Sequence, residues 1–151
     1  ATVDRTFEYD SAGVPIENYA INSGNTAPRG VAMTAAGDKV WVVDAARQVY
    51  IYNTSGGLLG NWSLGTLATN ATVEGIATDG THVWVVDARS DRVYYYANAA
   101  ARTSGTQTAT SNFALTRGNA IPKDIVWGSQ NNVSYLWVVD DTASTDRVYR
   151  Y

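Results

Sequence analysis

The chain has 151 residues, no cysteine, 45% hydrophobic and 11% aromatic side chains, and a formal net charge of −3. That length suits one domain with a real core, and the composition excludes a disordered chain. The acidic balance speaks against nucleic acid as a partner, the missing cysteines exclude disulfides and thiolate metal sites, and no apolar run reaches the ~20 residues of a membrane helix.

Residues 1–22 read as two strands and a turn. Asp4-Arg5-Thr6-Phe7-Glu8-Tyr9 leads through Gly13 into Val14-Pro15-Ile16-Glu17-Asn18-Tyr19-Ala20-Ile21. Residues 23–70 contain Gly30-Val31-Ala32-Met33, then Lys39-Val40-Trp41-Val42-Val43-Asp44, then Gln48-Val49-Tyr50-Ile51-Tyr52, then Leu58 to Leu64. Residues 71–118 repeat the phrase as Gly75-Ile76-Ala77-Thr78, His82 to Asp87, Arg92 to Tyr96 and Asn112 to Leu115. Residues 119–151 repeat it as Asp124 to Trp127, Tyr135 to Asp140 and Arg147 to Tyr151, with no fourth segment.

Trp-Val-Val-Asp thus recurs at Trp41, Trp84 and Trp137, spaced by 43 and 53 residues. Self-similarity at such a period is the mark of a repeat architecture. Each segment is short, β-branched or aromatic, and bounded by Gly, Asn, Asp or Ser, which predicts antiparallel hairpins and an all-β chain. Four strands per unit describe one β-propeller blade, whose sheet buries both faces only when stacked between neighbours. With the strands lettered a to d from the axis outward, the chain reads c-d, a-b-c-d, a-b-c-d, a-b-c. Three blades cannot close a ring, so a ring or filament completed between copies is the expected assembly.

The units resemble the NHL-type propeller repeat. Ala27-Pro28-Arg29-Gly30-Val31-Ala32, Thr72-Val73-Glu74-Gly75-Ile76-Ala77 and Ile121-Pro122-Lys123-Asp124-Ile125-Val126 carry its first element. The three Trp-Val-Val-Asp copies carry its second, and Asp91-Arg92-Val93-Tyr94 and Asp146-Arg147-Val148-Tyr149 its third. The resemblance implies a six-bladed kind of propeller, a fold shared by binding modules, lyases and lactonases.

Arg29, Glu74 and Lys123 precede the innermost strands and vary between units, which makes them the candidate ligand site at a channel mouth. Glu74, Asp124 and Asp79 could supply oxygen to Ca²⁺, but a solvated rim is the favoured reading, with no metal or cofactor. Asp44, Asp87 and Asp140 recur in every unit, which marks them as turn-ordering and not catalytic. Arg5, Arg92 and Arg147 recur equally, and pairing with those carboxylates is expected. His82 is the single histidine and reads as a turn-side residue. Trp62 and Trp127 are unrepeated and could stack on sugars, while Thr103–Ser111 reads as a long rim loop, mobile or O-glycosylated.

Assembly candidates are the terminal strands: Glu8, Ile16, Tyr19 and Ile21 at one end, and Arg147, Tyr149, Arg150 and Tyr151 at the other. The expected function is a non-catalytic scaffold that self-associates by strand exchange into a closed dimer or a filament. A lectin-like or adhesin-like binder of glycan or surface protein, and a lyase or lactonase with a channel-mouth metal, are the competing expectations. The Ser, Thr, Asn and Gly content, the lack of cysteine and the opening at Ala1 suit a secreted or cell-surface bacterial protein. That opening fits a processed chain or a piece of a longer one.

Overall fold

A computed structural model describes residues 4–142 and 146–151, and among them every regular element is a strand. β1 (Arg5–Tyr9) and β2 (Pro15–Ala20) pair as an antiparallel hairpin. The first blade runs outward from β3 (Pro28–Met33) through β4 (Lys39–Asp44) and β5 (Gln48–Asn53) to β6 (Leu58–Leu64). The second runs from β7 (Val73–Thr78) through β8 (Val83–Asp87) and β9 (Arg92–Tyr96) to β11 (Ser111–Ala114). The third has β12 (Pro122–Gln130), β13 (Val133–Asp140) and β14 (Arg147–Arg150). A two-stranded hairpin followed by three propeller blades is the architecture.

Strand residues alternate between two faces, so Trp-Val-Val serves both sides of one sheet. On the first blade, Trp41, Val43, Val49, Ile51 and Trp62 face the second blade, where Ile76, Val83, Val85, Tyr94 and Tyr96 meet them. On the second, Ala77, Val86, Val93 and Phe113 meet Ile125, Leu136, Val138 and Tyr151 of the third. The Trp41 indole N–H donates to the Ala100 carbonyl at 3.2 Å, so its one polar atom is satisfied inside the core.

The repeated aspartates act as clamps. Asp44 accepts backbone N–H bonds from Ala27 at 2.7 Å, before β3, and from Ala46 at 2.6 Å, after β4. Asp87 does the same for Thr72 and Arg89, and Asp140 for Ile121 and Thr142. All three are buried. Each ties the entry of an inner strand to the turn leaving the second strand, a common use of a short carboxylate. Their oxygens are therefore occupied, and the recurring arginines bond elsewhere: Arg5 Nε donates to Asn18 Oδ1 at 2.7 Å and Arg92 Nε to Asn112 Oδ1 at 2.6 Å. For Arg5 and Arg92 the expected arginine–aspartate pairing is thus replaced by an arginine–asparagine bridge between the two outer strands.

The Thr103–Ser111 segment is not a free rim loop. Its residues Thr106–Gln107 form β10, which lies parallel to β6 as a fifth strand on the first blade. Asn61 N–H donates to the Thr103 carbonyl at 3.0 Å, Ser63 N–H to Gly105 at 2.8 Å and Gly65 N–H to Gln107 at 2.9 Å. The close approach needs a glycine: Gly60 has φ 155°, and a Cβ there would run into the Thr103 carbonyl. The second blade thereby covers the outer edge of the first, which would otherwise present unpaired backbone groups.

Candidate functional site

The channel-mouth candidates share one backbone device. In each inner strand the register slips between the first and third residues, at Pro28/Gly30, Val73/Gly75 and Pro122/Asp124. Arg29, Glu74 and Lys123 are the extra residues, so each is the bulged position of its blade, and a bulge re-aims its side chain. Lys123 pairs with Asp141 of its own blade, Nζ to Oδ2 3.7 Å, and Arg29 borders a groove beside the N-terminal hairpin. Among the described residues, no group of three or more His, Asp or Glu side chains is placed to hold a metal ion.

The residue after each bulge sits at a tight seam between blades. A Cβ on Gly30 would lie 2.8 Å from Gly75 Cα, and one on Gly75 would lie 2.8 Å from both Asp124 Cα and Ile125 N. The third blade carries Asp124 there. Burial pushes its carboxyl above the ordinary range, and the Ile125 N–H, which donates to Oδ1 at 2.8 Å, opposes that shift. Asp91 is also raised, first by burial and then by the charges of Asp87 and Asp140.

The other sequence candidates resolve plainly. Trp62 is fully buried and cannot stack on a sugar, and Trp127 packs against the core between the second and third blades. His82 meets the Trp84 ring edge-on and the Tyr95 ring at a tilt, and its Nδ1 accepts the Asn98 N–H at 3.1 Å. Ile21 is buried with Val40, Val42, Tyr50 and Tyr52 of its own chain. The Tyr149 hydroxyl donates to the Gly118 carbonyl at 2.6 Å, and Thr116 N–H donates to the Tyr151 hydroxyl at 3.1 Å. The side chains of these three assembly candidates are therefore engaged within the chain, while the outer backbone edge of β14 takes no part in those contacts.

What remains open is both ends of the stack. On the first blade Val31 is 61% exposed, while Ile76, its counterpart on the second, is 1% exposed. On the third blade Val148 is 66% exposed, while its counterparts Val49 and Val93 are fully buried. Met33 extends the first open face, and Val126 and Val139 the second. Two adjoining grooves of about 400 Å³ each run between β1 and the first blade, lined by Phe7, Tyr9, Tyr19, Val31, Met33 and Val42 among others. They occupy the place of the two inner strands that would complete the hairpin into a blade.

The outer strands hold a motif too short to recognise in isolation. Asn18-Tyr19, Asn61-Trp62 and Asn112-Phe113 pair with Phe7-Thr6, Tyr50-Val49 and Tyr94-Val93 in one register. Each outer aromatic then packs on a third-strand tyrosine of the following blade: Tyr19 on Tyr52, Trp62 on Tyr96 and Phe113 on Tyr151, with ring centroids 6.3, 5.3 and 5.5 Å apart. β2 is thereby seated as the outer strand of a blade preceding the first. Its partner β1 holds Glu8 directly opposite Glu17. Like charges so placed are unfavourable by a few tenths of a kcal/mol up to about 1 kcal/mol. Among the described residues no strand pairs with the outer edge of β14, and Arg150 lies over the Tyr135 ring at 4.6 Å.

Solved structures share this fold. A chain of a nidogen/laminin complex superposes with TM-score 0.66 at 16% identity, covering 97% of this chain and 52% of that one. Hydrazine synthase of Kuenenia stuttgartiensis gives TM-score 0.58 at 13% identity, covering 86% and 34%. Glutaminyl cyclase of Myxococcus xanthus gives 0.60 at 10% identity, covering 90% and 58%. The chain is a β-propeller segment, and it spans between a third and somewhat over half of these larger chains. No family model matches it, the NHL type included, and no curated protein sequence does.

Proposed function

We propose that this chain is a non-catalytic β-propeller scaffold module, working in an extracellular setting, whose blade stack is completed by further copies of itself. The observation that carries the reading is the pair of open end faces. Val31 and Met33 at one end, and Val126, Val139 and Val148 at the other, stand where the chain buries their counterparts between its own blades. Fully burying one such side chain is worth about 1.5–3 kcal/mol, and exposed apolar sheet faces of this kind mark interaction surfaces. The two faces are of opposite sense, as the two sides of every internal blade contact are. Head-to-tail association of copies would bury both.

Charged substitutions on the two faces test it. Val31→Lys and Val148→Lys should each leave the near-ultraviolet circular dichroism of the folded chain in place and lower its native mass to that of the 16.3 kDa monomer. An unchanged oligomer in both variants would contradict the proposal.

A further inference from the structure

We infer that β1 is a place-holding strand, and that β14 of a second copy takes its seat beside β2. This rests on the self-association proposed above and names the strands that carry it. β1 and β14 are two versions of the same third strand, and only one of them can lie against β2. Each offers an arginine to Asn18, through Arg5 in one case and Arg147 in the other; Arg5 Nε bonds Asn18 Oδ1 at 2.7 Å in the hairpin.

The remaining positions favour β14. In the register shared by the hairpin and the first two blades, Arg147 would face Ala20, Val148 would face Tyr19, Tyr149 would face Asn18 and Arg150 would face Glu17. The Glu8–Glu17 repulsion would become an Arg150–Glu17 attraction. Thr6 beneath Tyr19 would be replaced by Val148, matching the Val49–Trp62 and Val93–Phe113 pairs of the complete blades. β2 need not move, because the Tyr19 ring is already packed on Tyr52 and Gly56 as the outer strand of a preceding blade. The incoming β12 and β13 would fill the grooves beside Val31 and Met33. The partner is therefore a second copy of this chain, and strand addition at an open edge is the mode.

Because the chain contains no cysteine, paired cysteines report the strand neighbours directly. In an assembled sample, oxidation of the Glu17→Cys/Arg150→Cys variant should link chains into dimers or a ladder on a non-reducing gel. Glu8→Cys/Glu17→Cys should stay largely unlinked there, yet close within the chain when diluted to monomer. Separately, Arg150→Glu and Glu17→Arg should each weaken association by about tenfold or more, and the double exchange should restore most of it. Overturning results are full Glu8–Glu17 closure in the assembled state, no intermolecular Glu17–Arg150 link, or no rescue by the double exchange. Any of these with the oligomer intact would leave self-association standing and remove strand replacement. A monomeric parent chain at every concentration would remove both.

Discussion

The Trp62 ring meets the Tyr96 ring edge-on, with centroids 5.3 Å apart, and so fastens the outer strand of the first blade to the third strand of the second. Phe113 with Tyr151 and Tyr19 with Tyr52 repeat the arrangement at the other two junctions. Trp62 is the most completely buried of the three outer aromatics. Trp62→Ala should cost about 3–5 kcal/mol of unfolding free energy, the range for deleting a buried aromatic. Tyr19→Ala should cost far less in the monomer. Urea denaturation of both variants compares them, and equal losses would show that this junction does not govern stability.

Much of this was readable from residues and part was not. Trp41, Trp84 and Trp137 announce the second strand because Trp-Val-Val-Asp repeats at each and its first three residues are apolar, so the a-b-c order of every blade follows. The outer strands share only Asn18-Tyr19, Asn61-Trp62 and Asn112-Phe113, whose aromatic differs each time; tertiary pairing shows their equivalence, and a two-residue pattern does not. β10 was hidden for another reason. Thr106–Gln107 gains its strand character from the first blade's free edge and from Gly60, a long-range cause with no local signature. Arg29, Glu74 and Lys123 read as preceding the inner strands, but each is the second residue of its strand, because the bulge that holds it depends on pairing with the neighbouring strand.

Gly60 offers a direct test of that fifth strand. Gly60→Ala forces a Cβ into the Thr103 carbonyl, so β10 should detach while the four-stranded blade remains. Amide exchange at Asn61, Ser63 and Gly65 should accelerate at least tenfold, and proteases should gain access between residues 103 and 110. Unchanged protection would mean the strand is held by something other than this close approach.

The Asp140 clamp gives a pH-dependent stability. Burial pushes the Asp140 carboxyl up, but hydrogen bonds from the Thr142 hydroxyl and from the backbone N–H groups of Ile121, Thr142 and Ala120 outweigh it and hold the group below the ordinary range. A carboxyl whose folded pKa is depressed stabilises the fold fully above its unfolded value of about 3.9 and loses that contribution as pH falls through the lower folded value. The difference in melting temperature between the parent and Asp140→Asn should therefore be largest near neutral pH and shrink below about pH 4. Asp87→Ala, which leaves the Thr72 and Arg89 N–H groups without their acceptor, should cost about 2–3 kcal/mol at pH 7.

Asp124 stands where the preceding blades carry glycine, and at those glycines a Cβ would press on the next inner strand. If another blade follows the third, that Cβ keeps it slightly apart at the axis. Asp124→Gly should then tighten self-association, read as a lower concentration for half-assembly. A weaker or unchanged association would place the partner's contact away from the inner strands.

The central claim is tested most directly by the native mass of the 16.3 kDa chain, measured by light scattering after size exclusion over a hundredfold range of concentration. Self-association through the end faces predicts species of two or more chain masses, either a discrete dimer or an extended series, that dissociate only on strong dilution. A folded monomer throughout that range would contradict it.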